Sequence, residues 1–268
     1  VRGDSLPPAG PGAIRIQRYP AGDGFLVATT GRGGGVSGGA YESLNLSFHT
    51  GDDEETVREN RRRVTRILDL DPATLTCGQQ IHDSRIRVVT REDRGRGALG
   101  PDSFGDTDGL VTSVPETPLL AFGADCPGIA LVDPVHRAVG VAHSGWRGTV
   151  GGIAGKLVQA LVLAFGTRPR DLLGFVSPGI GSCCYEVGEE VLSRGEAVPD
   201  FGRHVEMRRG RPYLDLRGVI RAQLEREGLL TARLVASEAC TRCCSQHYFS
   251  YRAQGSRTGS CAIIAMVR

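Results

Sequence analysis

The chain has 268 residues, 40% of them apolar and 23% charged, with a formal net charge of +2. This is enough apolar sequence for one sizeable core, and the near-neutral balance argues against a nucleic-acid-binding surface. No apolar run is long enough to span a bilayer, so no membrane partner is expected.

Residues 1–14 are rich in Pro and Gly and lack an apolar stretch. They are expected to be a disordered segment rather than a signal peptide, with a single catalytic domain over 15–268. A cytoplasmic location follows as an expectation. Eight cysteines in a chain of this size then read as thiols or metal ligands rather than disulfides. Lys156 is the only lysine; arginine carries the rest of the positive charge and favours anionic ligands through its planar fork.

Short apolar runs bounded by Gly, Pro or Asp predict strands. In chain order they are Phe25–Thr29, Arg85–Thr90, Leu119–Phe122, Gly128–Val132, Ala138–Ala142, Leu172–Val176, Ala232–Ala236 and Ala262–Val267. The first helix follows Asp52, which with Glu55 resembles a capping box. Val57, Val64, Ile67 and Leu68 give that helix a narrow apolar stripe. Further helices are predicted over Gly152–Phe165, from near Glu186, and over Leu216–Glu227. Strands outnumber helices and strict βαβ alternation is missing. The fold class is therefore α+β, with mixed sheets flanked by helices in one domain. A monomer is the default expectation.

Three segments place reactive side chains beside tight turns: GQQIHDSRI, FGADCPGIALVD and GVAHSGWRGTVGG. In the second and third, a Cys or a His stands at the end of an apolar strand. The strand pair between Cys126 and His143 can return the chain to the same sheet edge, and His82 precedes another strand. Two imidazoles and one thiolate suit zinc, and three protein ligands with an open fourth position describe a catalytic site.

The same residues allow other readings. Taken singly, Cys126 reads as a core residue and each histidine as structural. Cys126 and His143 together read as the nucleophile and base of a cysteine hydrolase, with Asp125 orienting the histidine. Two His and one Cys also suit copper. The axial Met of such a site is hard to find, since Met207 and Met266 lie in no ligand-like loop.

A second cysteine group, CTRCCSQHYF, contains the C-x-x-C pair Cys240 and Cys243, with Cys244 and His247 nearby. Without a second pair at standard spacing, apart from Cys183–Cys184, accidental enrichment outweighs a second metal. Arg147, ahead of a predicted helix, is a candidate anion contact. Asn45 and Arg61 are candidate substrate contacts. Tyr185 and Glu186 are candidate pocket residues, and Trp146 is expected to pack.

The motifs GGVSGGAYESLNLSFHTGDD, VRENRRRV, QQIHDS, DTDGLVT, ADCPGIALVD, AHSGWRGTVGG, SPGIGSCCYEVG and FSYRAQGSRTG stand in the order seen in the YfiH/laccase-domain family. The chain resembles that family from about residue 25 to its end. The family was first described as multicopper polyphenol oxidases and is associated with purine nucleoside phosphorolysis and adenosine deamination. The resemblance implies an α/β sandwich and a Zn2+ site made by His82, Cys126 and His143, with copper the weaker alternative. It implies a purine nucleoside and phosphate as small-molecule partners, contacted by Asn45 and Arg61. Two departures, Ala253 after Ser250-Tyr251-Arg252 and Ser260 after Thr258-Gly259, bear on the C-terminal arginines. For deamination, Asp125 is the candidate acid–base residue by its adjacency to Cys126, with support of the Cys126 loop as its other reading. A cysteine-type amide hydrolase acting on cell-wall precursors through Cys126 and His143, and a non-catalytic metal-binding protein, are the rival readings.

Overall fold

The computed structural model describes residues 13–268. Of the segment expected to be disordered, only Ala13 and Ile14 fall among them. Ile14 packs against apolar core residues.

Two sheets form the centre. One has five strands in the order β1 (Ile16–Arg18), β2 (Phe25–Thr30), β13 (Cys261–Val267), β6 (Leu119–Gly123) and β3 (Thr76–Cys77). The other has six, in the order β12 (Leu234–Ala236), β9 (Leu173–Val176), β7 (Gly128–Asp133), β8 (Ala138–His143), β5 (Gly109–Thr112) and β4 (Ile86–Val88). Both mix parallel and antiparallel pairs. A separate hairpin joins β10 (Val205–Arg208) to β11 (Arg211–Leu214).

The side-chain alternation of strands explains the layering. Ile263 and Ala265 of β13 meet Ala130, Val132, Val139 and Val141 between the sheets. Their neighbours point the other way. Ala262, Ile264 and Met266 pack beneath α1 (Glu54–Leu68) with Val64 and Leu68. Ile129, Leu131, Ala138 and Ala142 pack against α3 (Ile153–Phe165) and α5 (Leu216–Arg226). The order of layers is helix, sheet, sheet, helices. These strands are buried on both faces, so they read as continuous apolar runs. The expected α+β sandwich is the observed one.

Three local expectations need correction. The N-cap of α1 is Asp53, whose carboxylate accepts the Thr56 N–H at 2.9 Å. Asp52 instead accepts from Ser37 Oγ and Asn45 Nδ2. Ile67 is exposed, and the buried face of α1 carries Asn60 and Arg61 in its place. The helix expected from Glu186 begins at Glu189 as α4 (Glu189–Gly195), because Glu186 forms a bridge with Tyr213 of β11. Two short helices complete the set, α2 (Trp146–Val150) and α6 (Tyr251–Gln254).

Candidate active site

The antiparallel pair β7–β8 sets the position of two reactive groups. His143 ends β8 opposite Gly128 of β7, and Cys126 lies in the turn just before β7. The strand pair therefore returns His143 to the level of Cys126. His82 enters from the loop before β4. Its backbone is left-handed, with φ of 63°, which is uncommon for a residue with a Cβ.

Asp108, just ahead of β5, holds that loop. Its carboxylate accepts the backbone N–H groups of Ile81, His82 and Asp83 at 3.0–3.1 Å. It also accepts Nδ1–H of His143 at 2.9 Å. Burial pushes the Asp108 carboxyl upward, but the bonds from His143 and the loop outweigh it and hold its pKa below the ordinary value.

The ligand atoms of His82, Cys126 and His143 all lie within 4.8 Å of one another. The two imidazole rings meet edge to face at 4.7 Å. Burial alone would raise the Cys126 pKa; the histidines outweigh it and bring it down to about 6. Burial alone would lower the His143 pKa, yet Asp108 and Cys126 bring it up to about 9. The sulfur is thus held as thiolate. Gly145 leaves space against the cluster: a Cβ there would lie 3.0 Å from Cys126 Sγ and 3.1 Å from His82 Cδ2. One thiolate, two imidazoles and an uncrowded flank are a donor set that fits a tetrahedral N/S metal with an open position.

The cluster lines a cavity of about 620 Å3. Aromatic lining comes from Phe122, Trp146, Tyr185 and Tyr251, and polar lining includes His49, Gln80, Arg147 and Arg252. Burial, with the Cys126 thiolate nearby, pushes the Tyr185 pKa upward, so its hydroxyl stays protonated. Burial and Arg61 lower the His49 pKa, which favours its neutral form. Arg147 lies over Trp146 at 4.3 Å and reaches Glu190 at 3.4 Å. Arg252 donates to the Glu186 carbonyl at 3.1 Å.

Asp125 does not orient His143; Asp108 does. The Asp125 carboxylate faces away, accepting Thr241 Oγ–H and the Arg252 N–H, each at 2.6 Å. With φ of 92°, its backbone turns the chain sharply into Cys126. Asn45 and Arg61 line no part of the cavity. Asn45 is fully buried, donates to Ser47 O, Thr50 Oγ1 and Asp52, and accepts the Ser260 N–H. Arg61 is 2% exposed, donates to the carbonyls of Leu46, Gly97 and Ala98, and lies over the Phe48 ring at 4.3 Å.

Sequence reading assigned no role to Asp108, His49 or Arg252. The first lies in DTDGLVT and the last in FSYRAQGSRTG, both segments already singled out. The carboxylate was hidden because its partners, at positions 81–83 and 143, are distant in sequence.

The family model described as multi-copper polyphenol oxidoreductase laccase matches residues 26–268. The chain belongs to this family. Among relatives of this laccase-domain protein, purine nucleoside phosphorylase YlmD of Geobacillus stearothermophilus is 36% identical over 240 residues, covering 88% of each chain. Adenosine deaminase RL5, from an unknown prokaryotic organism, is 32% identical over 244 residues, covering 88% of this chain and 92% of its own. The crystal structure of the hypothetical protein YfiH of Bacillus licheniformis matches the whole of both chains with a TM-score of 0.93 at 30% identity. Among the described residues, no helix is long and apolar enough to cross a membrane.

Proposed function

We propose that this laccase-domain protein is a zinc-dependent purine nucleoside phosphorylase, with adenosine deamination as a second activity. The observation that carries the reading is one cavity that holds the His82–Cys126–His143 donors together with aromatic faces and two arginines. The names of its relatives support the same reaction class.

The cavity volume falls in the range of small-molecule sites, about 300–1,000 Å3. Phe122, Tyr185 and Tyr251 offer rings to a purine face. Arg147 and Arg252 offer donor forks to phosphate. In phosphorolysis a phosphate oxygen bonds to the ribose anomeric carbon as the bond to the purine nitrogen breaks, and the bonding pair leaves with the base. The base must then gain a proton. The protonated Tyr185 hydroxyl is a donor on the cavity wall, and His49 in neutral form can accept or pass a proton. Zinc held by His82, Cys126 and His143 would supply a fixed positive charge and a Lewis-acid position beside the substrate. The Asp108 carboxylate holds Nδ1 of His143, which would leave Nε2 to serve as the ligand atom.

Zinc is favoured over copper by the surroundings of the donor set. Met207 is exposed on the β10–β11 hairpin and Met266 is buried under α1. Neither lines the cavity, so the weak axial sulfur of a blue-copper site has no source there.

The test is a nucleoside panel with and without phosphate. Adenosine, inosine and guanosine are expected to yield free base and ribose 1-phosphate only when phosphate is present. A metal chelator is expected to abolish turnover, and zinc to restore it. Full activity after chelation, with loss on thiol alkylation, would instead identify a cysteine hydrolase. Metal binding without turnover of any nucleoside would leave a non-catalytic protein.

A further inference from the structure

The cysteines that looked accidental in sequence meet in space. β9 and β12 are parallel neighbours, with Gly174 opposite Leu234 and Val176 opposite Ala236. The loops that follow them leave the sheet side by side, and a bridge between Gly179 and Cys240 keeps them together. The first loop then turns at Gly181, where the Cys184 and Tyr185 N–H groups bond to its carbonyl. The second turns over Cys240–Cys244 through the bond from Cys244 N–H to Cys240 O at 2.9 Å. These two turns bring Cys183 and Cys184 against Cys240 and Cys243. The four sulfurs all lie within 4.8 Å of one another.

We infer that Cys183, Cys184, Cys240 and Cys243 form a second, structural zinc site. Tetrahedral zinc with Zn–S bonds of about 2.3 Å sets its sulfurs roughly 3.8 Å apart. Here Cys183 Sγ lies 3.6 Å, and Cys184 Sγ 3.4 Å, from Cys243 Sγ. A disulfide would need about 2.05 Å. The Gly181 N–H points at Cys240 Sγ at 3.2 Å, which suits a thiolate. Four thiolates around Zn2+ leave two negative charges, and cations stand beside them. Arg242 stands beside the Cys184 sulfur, and Arg208, bonded to the Ser182 carbonyl, lies close to Cys183. Four protein sulfurs fill every position of the metal, so this site is closed to substrate. Binding one Zn2+ here releases a proton from each thiol that was protonated.

The site would act on the cavity through its neighbours. Tyr185 follows Cys184 directly and lines the cavity. Thr241, between Cys240 and Cys243, donates to Asp125 beside Cys126. A metal at the four cysteines would clamp both loops and hold this wall of the cavity. The inference does not depend on which substrate the cavity takes.

The experiment uses the full chain carrying Cys126→Ser, purified under reducing conditions and loaded with zinc. This variant removes the thiolate from the first donor set and leaves the four cysteines intact. About one tightly held zinc per chain is expected. X-ray absorption at the zinc edge should show four sulfur neighbours at about 2.3 Å. Chelation should lower the unfolding temperature and expose four further thiols to a thiol reagent. The unsubstituted chain should hold two zinc ions, and Cys183→Ser/Cys243→Ser only one. A Cys126→Ser chain that holds no zinc, that carries nitrogen or oxygen in the shell, or that retains iron in place of zinc would overturn the inference.

Discussion

Nδ1 of His143 lies 2.9 Å from Oδ1 of Asp108, and the same oxygen accepts the backbone N–H of His82 at 3.0 Å. One carboxylate oxygen therefore fixes two members of the donor set. Replacing it with an amide, Asp108→Asn, puts a neutral group opposite the imidazole and weakens the loop bonds. Metal affinity should fall about 10–100-fold, as for other groups that orient a ligand from behind. Competition with a chelator of known affinity measures this. Unchanged affinity would show that Asp108 serves the loop alone.

Arg61 was expected to contact substrate, yet it lies on the buried face of α1 with its donors spent on three carbonyls. Arg61→Met keeps much of the side-chain volume and leaves those carbonyls unpaired. Stability should fall by about 2–4 kcal/mol, since unpaired buried acceptors cost about 1–3 kcal/mol each and not all the losses add. Urea unfolding reads this directly. The folded variant should keep its KM for nucleoside; a large rise in KM without loss of stability would restore the substrate role.

Arg147 and Arg252 are the arginines that line the cavity. If they hold phosphate, Arg147→Gln and Arg252→Gln should each raise the KM for phosphate by about tenfold or more, corresponding to the ~1.5–3 kcal/mol of a charged hydrogen bond. The KM for nucleoside should change less. Equal rises in both constants would mean that the arginines shape the cavity rather than bind the anion.

Asp133, at the end of β7, is fully buried, and its oxygens accept from Thr167 Oγ1 at 2.5 Å and from His136 Nδ1 at 2.9 Å. Backbone N–H groups of Val135 and His136 add to these. Burial alone would raise its pKa, but the hydrogen bonds outweigh it and hold the folded-state value below the ordinary one. A depressed pKa means that the carboxylate's contribution is present above the unfolded value, about 3.9, and is lost as pH falls through the lower folded value. Asp133→Asn should therefore be clearly less stable than the parent at pH 6. The gap in unfolding temperature should close below about pH 3.9. A gap independent of pH would assign the loss to packing.

Much of this molecule is legible in its sequence where a uniformly buried strand is long, whereas β5, buried throughout but only four residues, was not predicted. β6, β7, β8 and β13 are apolar on both faces and appear as unbroken runs. What that pattern conceals is the division between layers, because Ala130 and Leu131 are equally apolar but belong to different cores. The β10–β11 hairpin escaped notice for another reason. Its turn is Arg209-Gly210, both residues left-handed, with φ of 51° and 76°. Such two-residue turns usually advertise themselves as Asn-Gly or Asp-Gly. On α1, Arg61 stands at the helical spacing shared by Val57, Val64 and Leu68, so its burial was written in the periodicity. Its charge led away from that reading. Cys126 and His143 were placed correctly at strand ends, whereas Asp108 and the four-cysteine group depend on contacts between distant segments.

His143 ends β8 and Cys126 lies two residues ahead of β7, and every residue of that strand pair is buried. Backbone amides at the centre of such a strand pair open only when the whole fold opens, whereas exposed segments such as the one carrying Tyr251 and Arg252 can fluctuate on their own. The imidazole of His143 thus belongs to the part of the molecule expected to exchange most slowly, with the Cys126 sulfur anchored at its edge, and the exposed wall is expected to exchange faster. Ligands can enter and leave while the chemistry-bearing atoms keep their places.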